Sequence, residues 1–270
     1  MGILAESRQS STGDASWRTR LACAPALRYV RRDEQFAAMN SLSHGFTALV
    51  FGGSGALGGA FVAALGAMPS CADVVALSRR SAPSFDLEDE ASIRACAAVL
   101  APRGPFHLMI DATGALAIDG VGPEKRLDDL DATRLARAFA VNAIGPALLM
   151  KHFVPLLPTS ERCIFATLSA RVGSIADNRK GGWYGYRASK AALNMLLRTA
   201  AIEVCRRRPE AVFAALQPGT VRSKLSARFV TGDDALAPEV SAAMLLAALD
   251  AAPARKEALF LDHRGQTIEW

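Results

Sequence analysis

The chain has 270 residues, and about half of them (51%) are hydrophobic, which is enough for one sizeable core. Its formal charge is only +5, with lysines and arginines interspersed among acids, which argues against a nucleic-acid-binding protein. The five cysteines lie far apart and the four histidines are scattered, so we expect neither a disulfide framework nor a metal site. We see no apolar run near the ~18 residues of a membrane span, and therefore expect no membrane partner.

Residues 1–44 differ from the rest, because they are rich in Ser, Arg and Ala and poor in acids. Such an extension is typical of an organelle transit peptide, but also of a disordered tail. A start codon assigned too early is a third interpretation, since Met39 lies just before the first convincing strand. All three remain open. The unpaired cysteines favour a cytoplasmic protein, or an organellar one if residues 1–38 are a transit peptide.

From residue 45 onward, short β-rich segments alternate with helical patterns, which is typical of a parallel sheet with helices on both faces. We expect residues 45–270 to form one Rossmann-type α/β domain with a doubly wound sheet of about seven strands. The predicted strands cover residues 46–51, 73–77, 106–111, 162–168, 211–216 and 258–261. The predicted helices cover residues 56–68, 88–100, 128–157 with a kink at Gly145-Pro146, 184–207 and 238–250.

A glycine-rich turn separates the first predicted strand from the first predicted helix. Gly53, Gly55 and Gly58 have G-x-G-x-x-G spacing, and starting from Gly52 gives G-x-x-G-x-x-G. Between a strand and a helix, such glycines let backbone amides approach a pyrophosphate at the positive end of the helix. The alternative is a flexible turn. The predicted cofactor contacts are Gly52, Gly53, Ser54, Gly55, Ala56, Leu57 and Gly58.

The end of the second predicted strand carries Ser78-Arg79-Arg80 and no acid. An acidic residue there would bind the free ribose 2′-hydroxyl of NAD, whereas arginine suits the 2′-phosphate of NADP. The sequence therefore favours NADP(H), with NAD as the alternative and Ser78 and Arg79 as contacts. Otherwise the two arginines are ordinary surface charges.

Tyr186 and Lys190 lie near the start of a long predicted helix, where a spacing of four residues places them on one face. A nearby cation lowers the pKa of a phenol from its usual value near ~10, which would make the tyrosine a usable acid or base. An isolated Tyr-x-x-x-Lys is more often a solvated helix face. The glycine turn and the arginines at the end of the second predicted strand favour the interpretation of Tyr186 and Lys190 as a catalytic pair.

Taken together, these motifs and a later Pro-Gly loop resemble the short-chain dehydrogenase/reductase family over residues 46–270. Segments 169–174, 181–186 and 188–194 are most similar to its C-factor-like and sniffer-like carbonyl reductase branch. The resemblance implies hydride transfer between NADP(H) and a small-molecule carbonyl or alcohol, in a homodimer or homotetramer. A nucleotide-binding signalling protein with the same fold and little catalysis is the alternative.

The resemblance also implies roles for single residues. Tyr186 would protonate the carbonyl oxygen, Lys190 would bind the nicotinamide ribose, and Asn142 would support a proton relay. The remaining implied cofactor contacts are Asp86, Leu87, Ala112, Thr113, Gly114, Pro218, Gly219 and Val221.

Three positions depart from the family pattern. Ala56 stands at the middle glycine of the usual turn, and Asp111 stands where asparagine is usual. The usual catalytic serine, which donates a hydrogen bond to the substrate carbonyl, falls on Ala170. We prefer Ser169 to Ser174 as its substitute, although adjacent strand residues face opposite sides, so that Ser169 can act only if the backbone turns or bulges there.

Substrate choice is expected to depend on residues 222–237. This segment mixes apolar side chains with charges, which suggests a mobile lid over an apolar pocket. It does not identify the substrate.

Overall fold

A computed structural model describes residues 38–222 and 235–270, and within them six strands form one sheet in the order β2-β1-β3-β4-β5-β6. Every neighbouring pair is parallel. The predicted doubly wound Rossmann-type sheet is thus confirmed, with six strands in the described residues rather than about seven. The strands are β1 (Phe46–Phe51), β2 (Cys71–Leu77), β3 (Leu108–Asp111), β4 (Cys163–Leu168), β5 (Ala211–Gln217) and β6 (Leu259–Asp262).

Helices cover both faces of the sheet, because successive strand residues point to opposite sides. In β4, Phe165 belongs to an apolar cluster on one face of the sheet, whereas Ile164 and Ala166 belong to a second cluster on the opposite face. This alternation creates two apolar cores from one set of strands. The helices are α1 (Ala56–Gly66), α2 (Glu90–Leu100), α3 (Ala132–Phe139), α4 (Gly145–Phe153), α5 (Tyr184–Val204) and α6 (Pro238–Ala251).

The helix predicted over 128–157 is interrupted just before the predicted kink. A π-helical turn, Ala140–Ile144, separates α3 from α4, and Pro146 lies in the first turn of α4. Proline has no amide hydrogen and cannot continue the regular hydrogen-bond ladder. Single π-helical turns are frequent at functional sites, and this one contains the fully buried Asn142.

The continuous helical run Ala132–Leu156 has the length and composition needed to cross a membrane, with a mean hydropathy of 1.3. We did not expect such a segment from the sequence. Buried core helices satisfy the same criteria, and Leu149 and Phe153 of this run are fully buried under the sheet.

The predicted N-terminal extension lies mostly outside the described residues. Near the start of the described residues, Met39 and Leu42 are buried in the core cluster under α1 and α6. Core packing therefore starts several residues before the boundary expected at residue 45.

Candidate active site

A cleft of about 750 Å³ lies at the carboxyl ends of β1, β3, β4 and β5. The strand order reverses between β1 and β3, and open parallel sheets bind ligands at such a switch point. The cleft is lined by residues 54–58, 112–114, 116, 168–172, 183, 186, 190 and 217–221.

The glycine turn forms one end of this cleft. Gly52 has a positive φ of 78°, and a Cβ on Gly58 would lie only 2.1 Å from the Gly52 carbonyl oxygen. Gly55 is the N-cap of α1; no side chain caps the helix, and its first turn contains no acid. Ala56, which departs from the family glycine, is the exposed first residue of α1. The positive end of α1 is thus open to an anionic group such as a pyrophosphate.

Four predicted cofactor contacts lie outside the cleft lining, namely Ser78, Arg79, Asp86 and Leu87. Arg79 and Arg80 are exposed and form no ion pair with any residue in the described part of the chain. The Ser78 hydroxyl accepts the Arg80 amide at 3.1 Å. Asp86 is exposed, and Leu87 packs against the start of α4, where a Cβ on Gly145 would lie 2.7 Å from the Leu87 Cβ.

Asp111, at the end of β3, is fully buried. Its Oδ1 accepts hydrogen bonds from the amide (3.0 Å) and hydroxyl of Thr113, and its Oδ2 accepts one from the Thr167 hydroxyl (2.9 Å). The carboxylate that replaces the family asparagine is therefore satisfied by three donors. It holds the turn at residues 112–114 against β4.

Asn142 and Lys190 meet at Gly114, although they come from different helices. The Asn142 side chain accepts the Ala115 amide (2.8 Å) and donates to the Ala115 carbonyl (2.9 Å). Gly114 has φ 124°, and a Cβ there would lie 3.0 Å from Asn142 Oδ1 and 3.1 Å from Lys190 Nζ. Only glycine allows this convergence.

Burial shifts the pKa values of Lys190 and Tyr186, the two expected proton-transfer groups, in opposite directions. Burial lowers the pKa of Lys190 to about 8, against the opposing effect of the Asp111 carboxylate, while its Nζ donates to the Leu168 carbonyl at 2.8 Å. Burial raises the pKa of Tyr186 to about 12. This direction is opposite to the lowered phenol pKa that we expected, and loss of hydration is its cause. The phenol is protonated at neutral pH, but a pKa this far above neutral makes it a weak proton donor by itself.

Ser169 borders the cleft, but its hydroxyl is directed elsewhere. The hydroxyl donates to Asn194 Oδ1 on α5 at 2.6 Å, and Ser169 is 4% exposed. Its amide donates to the Leu216 carbonyl at 2.8 Å, which continues the β4–β5 pairing, and the β4–β5 register shows no shift. The turn or bulge that Ser169 would need is therefore absent from this described segment.

The hydroxyl of Ser174, the alternative serine, also takes part in a hydrogen bond away from the cleft. The Ser174 hydroxyl accepts the Asp177 amide at 3.0 Å, and Ser174 is 1% exposed and outside the cleft lining. Ala170, which is partly exposed, also lines the cleft. The family serine position thus offers no hydroxyl to this site.

Sequence reasoning missed Trp183, which lines the cleft beside Tyr186. Their ring centroids lie 6.3 Å apart at an interplanar angle of 71°. Trp183 has a left-handed backbone (φ 55°, ψ 43°), following Gly181 and Gly182, which also have positive φ. The Gly-Gly pair indicates a turn, but no sequence rule predicts a tryptophan in this conformation.

The Pro-Gly loop closes the opposite wall. The Pro218 carbonyl accepts the Ser241 hydroxyl of α6 at 2.7 Å, and Gly219 has φ 78°. Val221 pairs with Leu236 in an isolated parallel bridge, so the two ends of the predicted lid lie together. Residues 223–234 of that lid are outside the described residues.

Comparison with known proteins identifies the family. The model of a family described as enoyl-(acyl carrier protein) reductase matches residues 60–265. The C-signal protein of Myxococcus xanthus is 32% identical over 169 residues, which span 62% of this chain and 94% of that protein. The 1-hydroxy-2-glutathionyl-2-methyl-3-butene dehydrogenase of Rhodococcus sp. (strain AD45) is 28% identical over 200 residues, spanning 74% of this chain and 84% of that enzyme.

Among solved structures, a short-chain dehydrogenase/reductase from Burkholderia multivorans with bound NADP is 27% identical. The two share a TM-score of 0.71, over 83% of this chain and 99% of the other. The family match covers more than half of the chain, and the glycine turn, the pair Tyr186 and Lys190 and the Pro-Gly loop line one cleft. The chain belongs to the short-chain dehydrogenase/reductase family.

Proposed function

We propose that the chain is an NADP(H)-dependent oxidoreductase that interconverts a carbonyl and an alcohol. The observation that carries the proposal is that Tyr186 and Lys190 line one cleft beside the uncapped start of α1, where Asn142 approaches Lys190 at Gly114. A signalling protein that had lost catalysis would have no need to keep a buried lysine one helical turn from a half-buried tyrosine, because burying an ammonium group costs free energy.

The residues present suit a nicotinamide dinucleotide. Residues 52–58 would hold the pyrophosphate, Arg79 the 2′-phosphate, and the loop 218–221 the nicotinamide amide. The related Burkholderia protein has bound NADP, and no acid follows β2 here, which supports NADP(H) over NAD. When bound, the cofactor supplies the hydride.

Proton delivery is assigned to Tyr186. The phenol lines the cleft and is protonated at neutral pH, and the Lys190 ammonium would have to lower its pKa of about 12 for it to donate readily to a carbonyl oxygen that gains negative charge. Lys190 would bind the ribose and stabilise the phenolate left behind. Asn142 holds the turn after β3 through two hydrogen bonds to Ala115 and would support proton return.

The site would lack the serine hydroxyl that is expected to donate a hydrogen bond to the substrate carbonyl in this family. We propose that Ser169 supports α5 through Asn194 and that Ala170 occupies the serine position without replacing its hydroxyl. A missing donor at the developing oxyanion lowers the rate rather than abolishing it.

The substrate-facing wall favours an apolar carbonyl compound. Leu116, Ala170, Val172 and Trp183 line the cleft around Tyr186. Apolar and aromatic walls bind through contact area and exclude water from the reacting atoms. We therefore propose a small aromatic or aliphatic aldehyde, ketone or quinone as substrate.

Assembly and compartment are part of the proposal. Met195 and Ile202 on α5 and Ile144 before α4 are large exposed apolar side chains, which supports a homodimer or homotetramer packed through these helices. The described cysteines are free thiols, which supports a cytoplasmic location.

The direct test uses the purified full chain, with NADPH consumption followed against aldehydes, ketones and quinones. Tyr186→Phe is expected to abolish turnover and to keep the NADPH dissociation constant nearly unchanged. Equal loss of both would refute the assigned role of Tyr186. NADPH binding without reduction of any carbonyl would point instead to a nucleotide-binding protein with little catalysis.

A further inference from the structure

Helix α5, which carries Tyr186 and Lys190, begins without a capping side chain of its own. The Trp183 side chain at the N-cap makes no cap hydrogen bond, and the first turn contains no acidic residue. The first amides of any helix lack acceptors within the helix. The start of α5 therefore needs acceptors from another part of the chain.

Glu124 supplies those acceptors from 61 residues earlier in the sequence. Its carboxylate Oε2 accepts the Gly185 amide at 3.0 Å, and its backbone carbonyl accepts the Trp183 amide. Glu124 is 5% exposed and forms no ion pair with a described lysine or arginine. The carboxylate is stabilised instead by the Gly185 amide and by the positive end of the helix dipole.

Gly185 is required for this close approach. A Cβ at Gly185 would lie 3.0 Å from Glu124 Oε1, 3.3 Å from Oε2 and 3.2 Å from Leu135 Cδ2. Any larger residue would push the carboxylate away from the helix. Glu124 and Gly185 are thus a matched pair of positions, distant in sequence and in contact in the fold.

The same carboxylate lies beside the proposed chemistry. Glu124, Tyr186 and Asn142 line a small cavity of about 140 Å³ between residues 115–124 and α3. Gly185 and Tyr186 share one peptide bond, so displacement of the Gly185 amide displaces the phenol. Small errors in the placement of a reacting group are costly in rate.

We propose that Glu124 is a positioning residue, whose carboxylate holds the first turn of α5 so that the Tyr186 hydroxyl faces the substrate carbonyl. The proposal rests on the oxidoreductase function proposed above. It assigns to Glu124 an effect on turnover without any contact with cofactor or substrate.

The test compares Glu124→Gln with the matched control Asp89→Asn. The Asp89 carboxylate caps α2 in the same manner, by accepting the Ala91 amide at 2.9 Å, and α2 contributes no residue to the cleft. Glu124→Gln is expected to lower kcat for carbonyl reduction about tenfold, with the NADPH dissociation constant within about twofold of the parent value. Asp89→Asn is expected to leave both quantities unchanged.

Hydrogen–deuterium exchange gives a second readout that needs no substrate. A peptide covering residues 184–190 is expected to exchange about tenfold faster in Glu124→Gln, while a peptide covering α2 is unaffected. Asp89→Asn is expected to show the reverse pattern. If the parent protein reduces no carbonyl, the proposed function fails, but the exchange pattern still decides whether Glu124 caps α5.

Unchanged kcat together with unchanged exchange at the start of α5 would overturn the proposal. Parallel losses of kcat and NADPH affinity would also overturn it, because they indicate a role in cofactor binding or in folding as a whole. If circular dichroism shows that Glu124→Gln is unfolded, Glu124→Asp carries the same test. This variant keeps the charge but shortens the reach to Gly185, and a loss of kcat at preserved NADPH affinity is again expected.

Discussion

Restoring a hydroxyl at residue 170 is the sharpest test of how this site works. Ala170 is in extended backbone (φ −152°, ψ 146°), and it lines the cleft together with Tyr186 and Lys190. Serine is compatible with this backbone and adds one oxygen atom to a cleft of about 750 Å³. Ala170→Ser is therefore expected to fold normally and to offer a hydrogen-bond donor to the substrate carbonyl.

The size of the gain follows from the chemistry of oxyanion stabilisation. Losing one such donor costs about 2.7–4 kcal/mol in enzymes built around it. A newly inserted hydroxyl lacks the surrounding groups that would orient it, so we expect it to recover about half, on the order of 1.4–2 kcal/mol. This corresponds to an increase of roughly 10- to 30-fold in kcat.

The assay follows NADPH consumption with the best carbonyl substrate, at saturating cofactor. The control is Ser169→Ala, which removes the hydroxyl that donates to Asn194 at 2.6 Å. This control is expected to cost about 1–2 kcal/mol of unfolding free energy through the lost buried hydrogen bond, with kcat nearly unchanged. The reasoning is refuted if Ala170→Ser leaves kcat unchanged while Ser169→Ala abolishes turnover, because Ser169 would then be the donor.

Three further outcomes are expected. Gly58→Ala should destabilise the fold by about 3 kcal/mol in thermal melts, because the added Cβ would lie 2.1 Å from the Gly52 carbonyl oxygen. The control Gly66→Ala should stabilise the fold by about 0.5 kcal/mol, because an added Cβ there would meet no atom within 4 Å. Between pH 8 and about 10, Lys190 keeps its proton in the unfolded chain but loses it in the folded chain, where its pKa is about 8. The unfolding free energy should therefore rise with pH in this range, by at most about 1.4 kcal/mol per pH unit. Denaturation of Lys190→Met at several pH values should lack this rise, and an identical pH dependence in both proteins would contradict the burial argument. Arg79→Glu should weaken NADPH binding about tenfold by removing a charge-assisted hydrogen bond, while NADH binding changes little; equal loss of both cofactors in fluorescence titrations would exclude a 2′-phosphate contact.

Much of the fold was predictable because its signals are local. The predicted first strand coincides with β1, and the helices after it begin and end within a few residues of their predicted bounds. Alternating β-rich and helical segments allow few arrangements other than a parallel sheet covered on both faces. The interruption at Ala140–Ile144 was misplaced by a few residues, because a π-helical turn leaves no sequence pattern beyond the nearby Pro146.

The candidate site was predictable only in part. Tyr186 and Lys190 are linked by helix periodicity, and both line the cleft. The direction of the Ser169 hydroxyl depends on Asn194, which is 25 residues away, and so only the packed structure reveals it. The pKa of Tyr186 was predicted in the wrong direction, because sequence spacing indicates the neighbouring lysine but not the loss of water around the phenol.

The amino-acid sequence by itself determined the order of strands and helices, the glycine turn before α1, and the four-residue spacing of Tyr186 and Lys190. These features depend on backbone conformation and periodicity over a few residues. Only the tertiary structure decided that the Ser169 hydroxyl donates to Asn194, and that Glu124 caps the helix of Tyr186. Both are contacts between segments distant in sequence, and burial and hydrogen-bond direction there are set by packing of the whole sheet and its helices.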